Sequence, residues 1–539
     1  MARITFEGKR YPVRDDESAL EALLRGGANV TFSCRKGSCH ACALKAVSTG
    51  KGETDAPALA NALGARAQRG LTSELTDRGY FLPCCSHPVE DVYVERPHPE
   101  ELFVRARVEK KEMVSSDVVR VFLEPERTMR WRGGQSVQLR RPSDGVMRTF
   151  SIACLEEDYF IELHVKRIEG GALSPWIWGE LSPGDVVEIQ GPAGDCIYDD
   201  SEPDAPILVV GTGTGIAPLL GVVREAVRAG HRGPIRVHYG ARTLDGLYAA
   251  GTLRALAAAH PTVEVCLSVS RPEGALPPDV REGRASDLAF ADAVDLEPAH
   301  VFLAGRPEMV HAARVRAVLA GARRRRIHAD PFEPATPFFP NDAEKIAGIP
   351  ADLDLWRALE EGPGLTRLLE DFYTRAFADA RLAPFFHKVT KTRAIEKQYE
   401  FLKDLFSGSR TYFGLRPFNA HHWMVISDEL FDYREAMFED CLIRYGLTHD
   451  QIRRWNALHE MFRREIVKAK ARGLILQGVE QPILGVREET IEVGTLCDGC
   501  EAEMPAGSRG LLHERTGELF CTGCSARHVG QSLAPPAIA

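Results

Sequence analysis

The sequence predicts a multidomain protein in which a small cysteine-rich domain lies towards each end of the chain. The 539 residues are 44% hydrophobic, which is enough for several packed cores. Eight of the thirteen cysteines fall in two groups that are far apart in the chain. Between these groups the pattern changes from short β-rich stretches to strand–helix alternation, and then to apolar residues spaced three and four apart. This order predicts an antiparallel barrel, a parallel α/β domain and an all-α domain.

Two proline-rich segments, ERPHPEE and DPFEPATPFFPNDAEK, mark boundaries between these domains. The predicted divisions are a cysteine-rich domain over 1–97, a β-barrel over 101–200, an α/β nucleotide-binding domain over 204–335, a linker over 336–350, a helical domain over 351–475 and a small cysteine-stapled domain over 490–530. The arginine run 323–326 is expected to be a solvated helix end or a surface that steers an acidic partner.

Composition and the N-terminal sequence predict where the protein is located and which classes of partner it lacks. The start, MARITFEGKRYPV, alternates like an edge strand and lacks the apolar region of a signal peptide. The apolar stretch PILVVGTGTGIAPLLGVV is too short and too rich in glycine to span a bilayer. We therefore expect a cytoplasmic protein with no membrane partner, in which clustered cysteines bind metal rather than form disulfides. The net charge of −9 argues against a nucleic-acid partner.

The first cysteine group has the spacing C-x4-C-x2-C, followed by a distant cysteine in GYFLPCCSHP. This is the spacing of a plant-type [2Fe-2S] cluster, and Gly37 lets the loop approach the sulfurs. A zinc site or a buried thiol cluster is the alternative, although zinc sites favour paired C-x2-C knuckles. Residues 1–97 resemble the plant-type ferredoxin domain, an α+β fold of the β-grasp type. That resemblance implies Cys84, rather than its neighbour Cys85, as the fourth ligand. The implied ligand set is Cys34, Cys39, Cys42 and Cys84.

The next domain carries the sequences MRTFSIAC and RIEGGALSPWIW. Alone, the R-T-F-S stretch is better explained as an ordinary strand, but a nucleotide-binding unit follows it at a suitable distance, which favours a flavin site. The two sequences resemble those with which ferredoxin reductase-like flavoproteins bind FAD, including a helix N-terminus for the pyrophosphate. The residues implied in FAD binding are Arg148, Phe150, Ser151, Gly170, Gly171 and Ser174.

An apolar strand in PILVVGTGTGIAPLL runs into a glycine-rich turn and a helix predicted to start at Pro218, as a nucleotide-binding βα unit requires. VFLAGRPEMV and IHADPFEP resemble the nicotinamide loop and the flavin-side aromatic residue of the same reductase family. The implied residues are Gly211, Gly213, Gly215, Gly305, Pro307 and, beside the flavin, Phe332. Arg242 follows the second strand and is compatible either with an NADPH 2′-phosphate or with a solvated arginine, so NADH and NADPH both stay open.

Residues 1–335 together resemble the single-chain reductases of aromatic-ring dioxygenases. In those proteins a ferredoxin domain precedes the FAD and nicotinamide domains. Nicotinamide transfers two electrons as a hydride, an iron–sulfur cluster accepts one, and a flavin converts between the two.

The helical domain resembles the truncated globins over about a hundred residues that begin at EDFYTRAF. The resemblance implies haem b, with Tyr373 and Gln398 as distal hydrogen-bond donors and Phe386 packed on the haem. His421 falls at the position of the iron ligand. The adjacent His422 points about 100° further around the helix, so only one of the two side chains can face the iron. The register of the resemblance favours His421.

The tail contains the knuckles CDGC and CTGC, separated by twenty residues. Two such knuckles predict a zinc ribbon with a structural role, while a rubredoxin-like iron site uses the same ligands. The predicted ligands are Cys497, Cys500, Cys521 and Cys524.

These parts predict an NAD(P)H-dependent oxidoreductase that passes electrons through FAD and [2Fe-2S] to haem for chemistry on O2 and nitric oxide. By similarity to flavohaemoglobins, that chemistry is nitric oxide dioxygenation. The alternative is a reductase that supplies an external oxygenase or electron acceptor, with the globin as an O2 or NO sensor. A non-enzymatic sensor–adapter module is a third interpretation. The sequence leaves open whether the cluster feeds the haem or another protein.

Overall fold

The structure is a computed structural model. The residues it describes are 2–524 apart from 14–16, 29, 31–36, 38–39, 41, 65, 69–70, 72, 293–294, 334–339, 341, 387–388, 413, 469–471, 477, 481–485, 492–493, 501 and 514–518.

The N-terminal domain combines one mixed sheet with short helices. Its elements are β1 (Arg3–Phe6), β2 (Lys9–Pro12), α1 (Ala19–Arg25), β3 (Leu44–Thr49), α2 (Ala56–Leu63), α3 (Ser73–Asp77), β4 (Tyr80–Phe81), β5 (Val92–Glu95) and a connecting α4 (Pro99–Leu102). The strand order is β2-β1-β5-β3-β4, with β1 and β5 parallel. Ser18 and Glu21 form a capping box that fixes the start of α1, whose apolar face is buried against the sheet.

The second domain is an antiparallel barrel. Its elements are β6 (Val104–Met113), β7 (Val118–Pro125), β8 (Ser136–Arg140), β9 (Met147–Ser151), β10 (Ile161–Lys166), α5 (Ser174–Gly179) and β11 (Val186–Ala193). The strand order is β10-β7-β6-β11-β8-β9. A bridge between Ile152 and Leu163 brings the two outer strands together, which closes the sheet.

The third domain is a parallel sheet flanked by helices. Its elements are β12 (Ile207–Thr212), α6 (Ile216–Arg228), β13 (Ile235–Ala241), α7 (Ala250–Ala259), β14 (Val263–Val269), β15 (Val280–Glu282), α8 (Ala285–Asp292), β16 (His300–Gly305), α9 (Pro307–Leu319) and β17 (Ile327–Pro331). The strand order is β15-β14-β13-β12-β16-β17, and all neighbours are parallel. The helix after the glycine-rich turn begins at Ile216, two residues before the predicted start at Pro218.

The fourth domain is helical. Its elements are α10 (Asp342–Ala347), α11 (Leu353–Ala358), α12 (Pro363–Ala378), α13 (Lys391–Ser407), α14 (Pro417–His421), α15 (Asp428–Tyr445), α16 (His449–Met461) and α17 (Arg463–Ile466). Large aromatic side chains, among them Phe372, Phe438 and Trp455, fill its core. Helix α10 lies within the segment predicted as a linker, yet Asp342 accepts a hydrogen bond of 2.9 Å from the Phe418 amide. The residues of α10 therefore already contact the helical domain, although the linker was predicted to extend to residue 350.

The tail forms small antiparallel sheets. Its elements are β18 (Ile475–Leu476), β19 (Val479–Glu480), β20 (Val486–Thr490), β21 (Thr495–Leu496), β22 (Glu503–Met504), β23 (Arg509–His513) and β24 (Leu519–Cys521). Strands β20, β23 and β24 form one sheet, and β21 pairs with β22. Across the described parts of the chain, none of the helices has the length and apolar character needed to cross a membrane.

The helical domain packs directly on the α/β domain. Ala457 of α16 belongs to the same buried cluster as the apolar residues of α9. The Arg314 guanidinium donates to Glu460 over 2.7 Å, and the Arg324 guanidinium lies 3.4 Å from Glu435. Both carboxylates are buried, at 3% and 1% exposure. The prediction of a solvated arginine run is therefore wrong for Arg324, because carboxylates of the helical domain surround its side chain.

Candidate functional site

Two of the four predicted cluster ligands are among the described residues, and their sulfurs are neighbours. The Sγ atoms of Cys42 and Cys84 lie 3.4 Å apart, while Cys34 and Cys39 lie outside the described residues. The Sγ atom of Cys85 lies 3.7 Å from that of Cys84 and faces the loop, where a Cβ on Gly37 would come within 2.6 Å of it. Gly37 has φ +79°, so the loop conformation also favours glycine. Adjacent thiols beside a glycine-containing loop suit an iron–sulfur cluster, and Cys84 rather than Cys85 as the fourth ligand stays a prediction.

The predicted flavin residues lie on β9 and around the start of α5. Arg148 is exposed, whereas Phe150 and Ser151 are half-buried. The Ser151 hydroxyl donates to Asp330 over 3.1 Å, so the barrel and the last strand of the α/β sheet meet here.

The other predicted flavin residues form a closed loop before α5. The Ser174 hydroxyl accepts a 3.1 Å hydrogen bond from the Ile168 amide, which fixes the turn containing Gly170 and Gly171. This turn presents backbone at the surface without bulky side chains, as a pyrophosphate site requires.

The predicted nicotinamide residues converge at the carboxyl ends of β12 and β16. Gly211 pairs with Ala304 in register, and the turn Gly213–Gly215 follows β12 directly. Gly305 has φ +129°, and a Cβ there would lie 2.5 Å from the Thr212 hydroxyl. That hydroxyl is buried, and no described residue hydrogen-bonds to it. A buried polar atom at the crevice of a parallel sheet fits a nucleotide amide or hydroxyl as its partner.

The flavin-side aromatic residue is tied to the nicotinamide loop. The Phe332 amide donates to the Gly305 carbonyl over 2.9 Å, and the Phe332 side chain is 37% exposed. Pro307 begins α9 immediately after this loop. Sequence reasoning did not identify Asp330 or Thr212. Both residues lie at the carboxyl ends of predicted parallel strands, where such sheets bind ligands, and this position could have identified them as site residues.

The predicted distal residues of the helical domain contact one another. The Tyr373 hydroxyl donates to the Gln398 side-chain oxygen over 2.6 Å. Phe386 packs edge-on against Tyr373, with ring centroids 5.8 Å apart. Burial raises the pKa of Tyr373 to about 12, so its hydroxyl stays protonated at neutral pH. The pair offers two neutral hydrogen-bonding groups beside the Phe386 ring.

The two adjacent histidines have different surroundings. The Nδ1–H of His421 donates to the Pro417 carbonyl over 2.8 Å, which leaves Nε2 as the unprotonated nitrogen. Burial, followed by the nearby Lys468 cation, lowers the pKa of His421 to about 4, so the ring is neutral. His422 is 1% exposed, and its Nδ1 lies 2.6 Å from the Asn419 carbonyl oxygen. An imidazole oriented through Nδ1 is the form that binds haem iron, and both histidines have this orientation. His421 therefore stays the ligand predicted from the register of the globin resemblance.

The four tail cysteines gather into one site. Their sulfurs all lie within 4.8 Å of one another, and those of Cys500 and Cys521 are 3.7 Å apart. The amides of Cys521 and Gly499 donate to the Cys497 sulfur. Burial alone would raise the pKa of Cys497, but these amides outweigh it and lower the pKa to about 6. A thiolate at neutral pH is what a tetrahedral metal site needs.

The helical domain also contacts the reductase beside Phe332. Arg464 of α17 donates to Glu333 over 2.9 Å, and His311 of α9 lies 3.1 Å from the same carboxylate. Arg464 also lies 4.0 Å from Glu308 in the first turn of α9. The residue after Phe332 and the first turn of α9 therefore both border the helical domain.

Four family profiles match successive parts of the chain. They are the 2Fe-2S iron-sulfur cluster binding domain over residues 4–89, the oxidoreductase FAD-binding domain over 105–198, the oxidoreductase NAD-binding domain over 209–315 and the bacterial-like globin over 357–465. The predicted ferredoxin, FAD, NAD and globin domains are confirmed.

Among curated proteins, the chain is similar to the reductase subunit of an aromatic O-demethylase from Amycolatopsis sp. The two are 31% identical over 349 residues, which is 62% of this chain and 99% of that subunit. It is also 27% identical over 329 residues to the ferredoxin–NAD(P)+ reductase component of the naphthalene 1,2-dioxygenase system from Pseudomonas putida, covering 60% of this chain and 95% of that component.

Solved structures with similarity include an Amycolatopsis cytochrome P450 reductase, at 30% identity and a TM-score of 0.44, covering 62% of this chain and all of that one. A flavohaemoglobin from Malassezia yamatoensis matches at 21% identity and a TM-score of 0.37, covering 42% of this chain and 59% of that one.

The comparisons and the domain content agree on the class of protein. Nearly the full length of a reductase subunit aligns with this chain at more than 30% identity, and a globin domain follows. The protein uses a [2Fe-2S] cluster, FAD, NAD(P)H and haem. The chain therefore belongs to the family of iron–sulfur flavoprotein reductases of bacterial oxygenase systems, and it is an NAD(P)H-dependent oxidoreductase joined to a bacterial-like globin domain.

Proposed function

We propose that this protein delivers electrons from NAD(P)H to FAD, and from FAD either directly or through the [2Fe-2S] cluster to its own haem, for the reaction of O2 with nitric oxide to give nitrate. FAD supplies the conversion from a two-electron donor to one-electron acceptors. The observation that carries the proposal is the docking of the globin against the NAD domain, with Arg464 paired to Glu333 next to Phe332. A covalently attached reductase that also contacts its acceptor needs no diffusional encounter.

In this proposal the residues predicted from sequence hold the cofactors. Arg148, Phe150, Ser151 and the turn before Ser174 bind FAD. The Gly213–Gly215 turn and the Gly305 loop bind the nicotinamide nucleotide, with Thr212 as an added partner.

On the globin side, His421 binds the iron through Nε2, and Tyr373 with Gln398 faces the bound gas. A protonated phenol beside an amide stabilises developing negative charge on oxygen in an apolar pocket. We further propose that the four tail cysteines hold a structural zinc ion.

Nitric oxide consumption by the full chain tests this function. Aerobic protein with NADH should remove nitric oxide catalytically and form nitrate. His421→Ala should abolish this activity and strip or misligate the haem, while NADH-driven reduction of a dye by the flavin domains continues. His422→Ala serves as the matched control and should retain haem. Loss of haem from the His422 variant alone would show that the register is wrong.

The second candidate function is a reductase for an external oxygenase, with the globin as a gas sensor. The relatives favour it, since they are named as components of an aromatic O-demethylase and of a naphthalene dioxygenase system. This function predicts rapid dye reduction with NADH while the haem stays ferric and nitric oxide persists.

A further inference from the structure

The contact between Glu333 and Arg464 lies at a specific point of the reductase. Glu333 directly follows Phe332, whose amide is bonded to the nicotinamide loop at Gly305. The Arg464 side chain is 19% exposed and the Glu333 side chain is 42% exposed, so only the cation of this ion pair is shielded from water. Removal of Glu333 would leave a partly buried cation, whereas Glu333 stays solvated when Arg464 is replaced.

The segment 464–468, which we call the proximal segment, runs from this ion pair to the predicted iron ligand. Lys468 donates through Nζ to the His421 carbonyl over 3.0 Å and to the Ile466 carbonyl over 3.1 Å. The Lys468 amide donates to the Ile426 carbonyl over 3.0 Å. Two hydrogen bonds thus fix the end of the proximal segment to both ends of the His421–Ile426 stretch.

The same segment is anchored from the other side by buried charge. Arg463 is 3% exposed and donates to Glu460 over 3.0 Å and to Asp428 over 2.9 Å. Glu460 in turn binds Arg314 of the NAD domain. The residue that precedes Arg464 is therefore immobilised against the same domain.

We propose that Arg464 is a positioning residue that holds the proximal segment, and with it His421, against the flavin end of the reductase. This inference rests on the proposed function. It selects the direct route from FAD to the haem, in which haem reduction depends on Arg464 rather than on the iron–sulfur domain. With the cofactors bound, FAD would accept the hydride from NAD(P)H, which leaves as NAD(P)+. FAD would then pass one electron to the ferric haem in each of two successive turnovers and release the proton to solvent, so no further reactant is needed.

The experiment compares Arg464→Gln with Arg453→Gln in the full holoprotein. Arg453 is the matched control because it is another globin arginine that faces the NAD domain, 3.4 Å from Asp295 and away from Phe332. Anaerobic stopped-flow mixing with NADH gives the rate of haem reduction. Resonance Raman spectra of dithionite-reduced protein give the iron–histidine stretching band, which reports the position of His421 independently of electron delivery.

We expect Arg464→Gln to slow haem reduction by roughly two- to fivefold, because a partly exposed ion pair contributes only modestly to the docked arrangement. The iron–histidine band should shift, flavin reduction should keep its rate, and Arg464→Lys should restore part of the loss. Arg453→Gln should behave as wild type. Equal rates and bands in the two glutamine variants would overturn the inference. A ferric haem in the wild type would instead overturn the proposed function, and the Raman band would still decide whether Arg464 positions His421.

Discussion

The globin domain meets two other domains, and the two contacts differ in kind. Against the NAD domain, Glu460 and Glu435 are buried and paired with Arg314 and Arg324. Towards the ferredoxin domain, Arg66 faces Glu429 over 3.9 Å, with the side chains 68% and 57% exposed.

Buried pairs are costly to break, because one charge is left without a partner and without water. Exposed pairs contribute about 0–1 kcal/mol. Among the described residues, the contact of the globin with the NAD domain therefore contains the buried ion pairs, and the contact with the ferredoxin domain contains an exposed one.

The largest expected effect comes from removing a buried cation. Arg314→Met removes one guanidinium partner of Glu460 while Arg463 remains, and should lower the free energy of unfolding by about 1.5–3 kcal/mol. Urea unfolding followed by haem absorbance measures this loss. Arg66→Gln is the control at the exposed contact and should change the same quantity by less than about 1 kcal/mol. Equal losses in the two variants would remove the distinction between the contacts.

Acid should weaken the buried contact in a defined window. Burial alone raises the pKa of Glu460, but the Arg314 and Arg463 cations outweigh it and lower the pKa to about 2. A depressed carboxyl pKa adds stability that is complete above the unfolded value, about 4.3, and is lost as the pH falls towards 2. Unfolding measurements between pH 6 and pH 3 should show the decline begin below about pH 4.5, and Glu460→Gln should flatten it. Stability that increases on acidification would contradict this account.

Removal of the iron–sulfur cluster tests whether the globin depends on the ferredoxin domain. Cys84→Ser should bleach the cluster absorbance, because its sulfur lies 3.4 Å from that of Cys42, whereas Cys85→Ser should keep the cluster. Globin unfolding and NADH-driven haem reduction should persist in both variants, since the buried contact is untouched. Haem reduction that disappears with Cys84→Ser would make the cluster an obligatory relay.

The smallest expected effect is that of salt. Raising ionic strength from about 0.05 to 0.5 M screens exposed charges and leaves buried pairs almost unchanged. Hydrogen exchange should increase modestly in α2 and the residues up to Arg66, and should stay constant in α16. A larger salt effect in α16 would indicate that water reaches the Arg314–Glu460 pair.

Spacing and local pattern were enough to predict much of this molecule. The domain order follows from hydrophobic periodicity. The first cysteine spacing predicts the 2Fe-2S domain, and the four tail cysteines predicted as ligands have their sulfurs within 4.8 Å of one another. The Tyr373–Gln398 contact also agrees with the register of the globin resemblance.

Contacts between residues distant in the chain were not predictable. Ser151 and Asp330 are 179 residues apart, and Glu333 and Arg464 are 131 apart. The sequence predicts a solvated Arg324 side chain, because only the fold places Glu435 beside it. A single sequence carries no local signal for such pairs, since only tertiary packing brings them together.

Anaerobic mixing of the wild-type protein with NADH shows whether the reductase domains reduce the haem of the same chain. Flavin, cluster and haem absorbance are followed separately in time. We expect the haem to become ferrous as fast as the enzyme turns over. Flavin and cluster that become reduced while the haem stays ferric would contradict it, and would make the globin a sensor on a reductase that serves another protein.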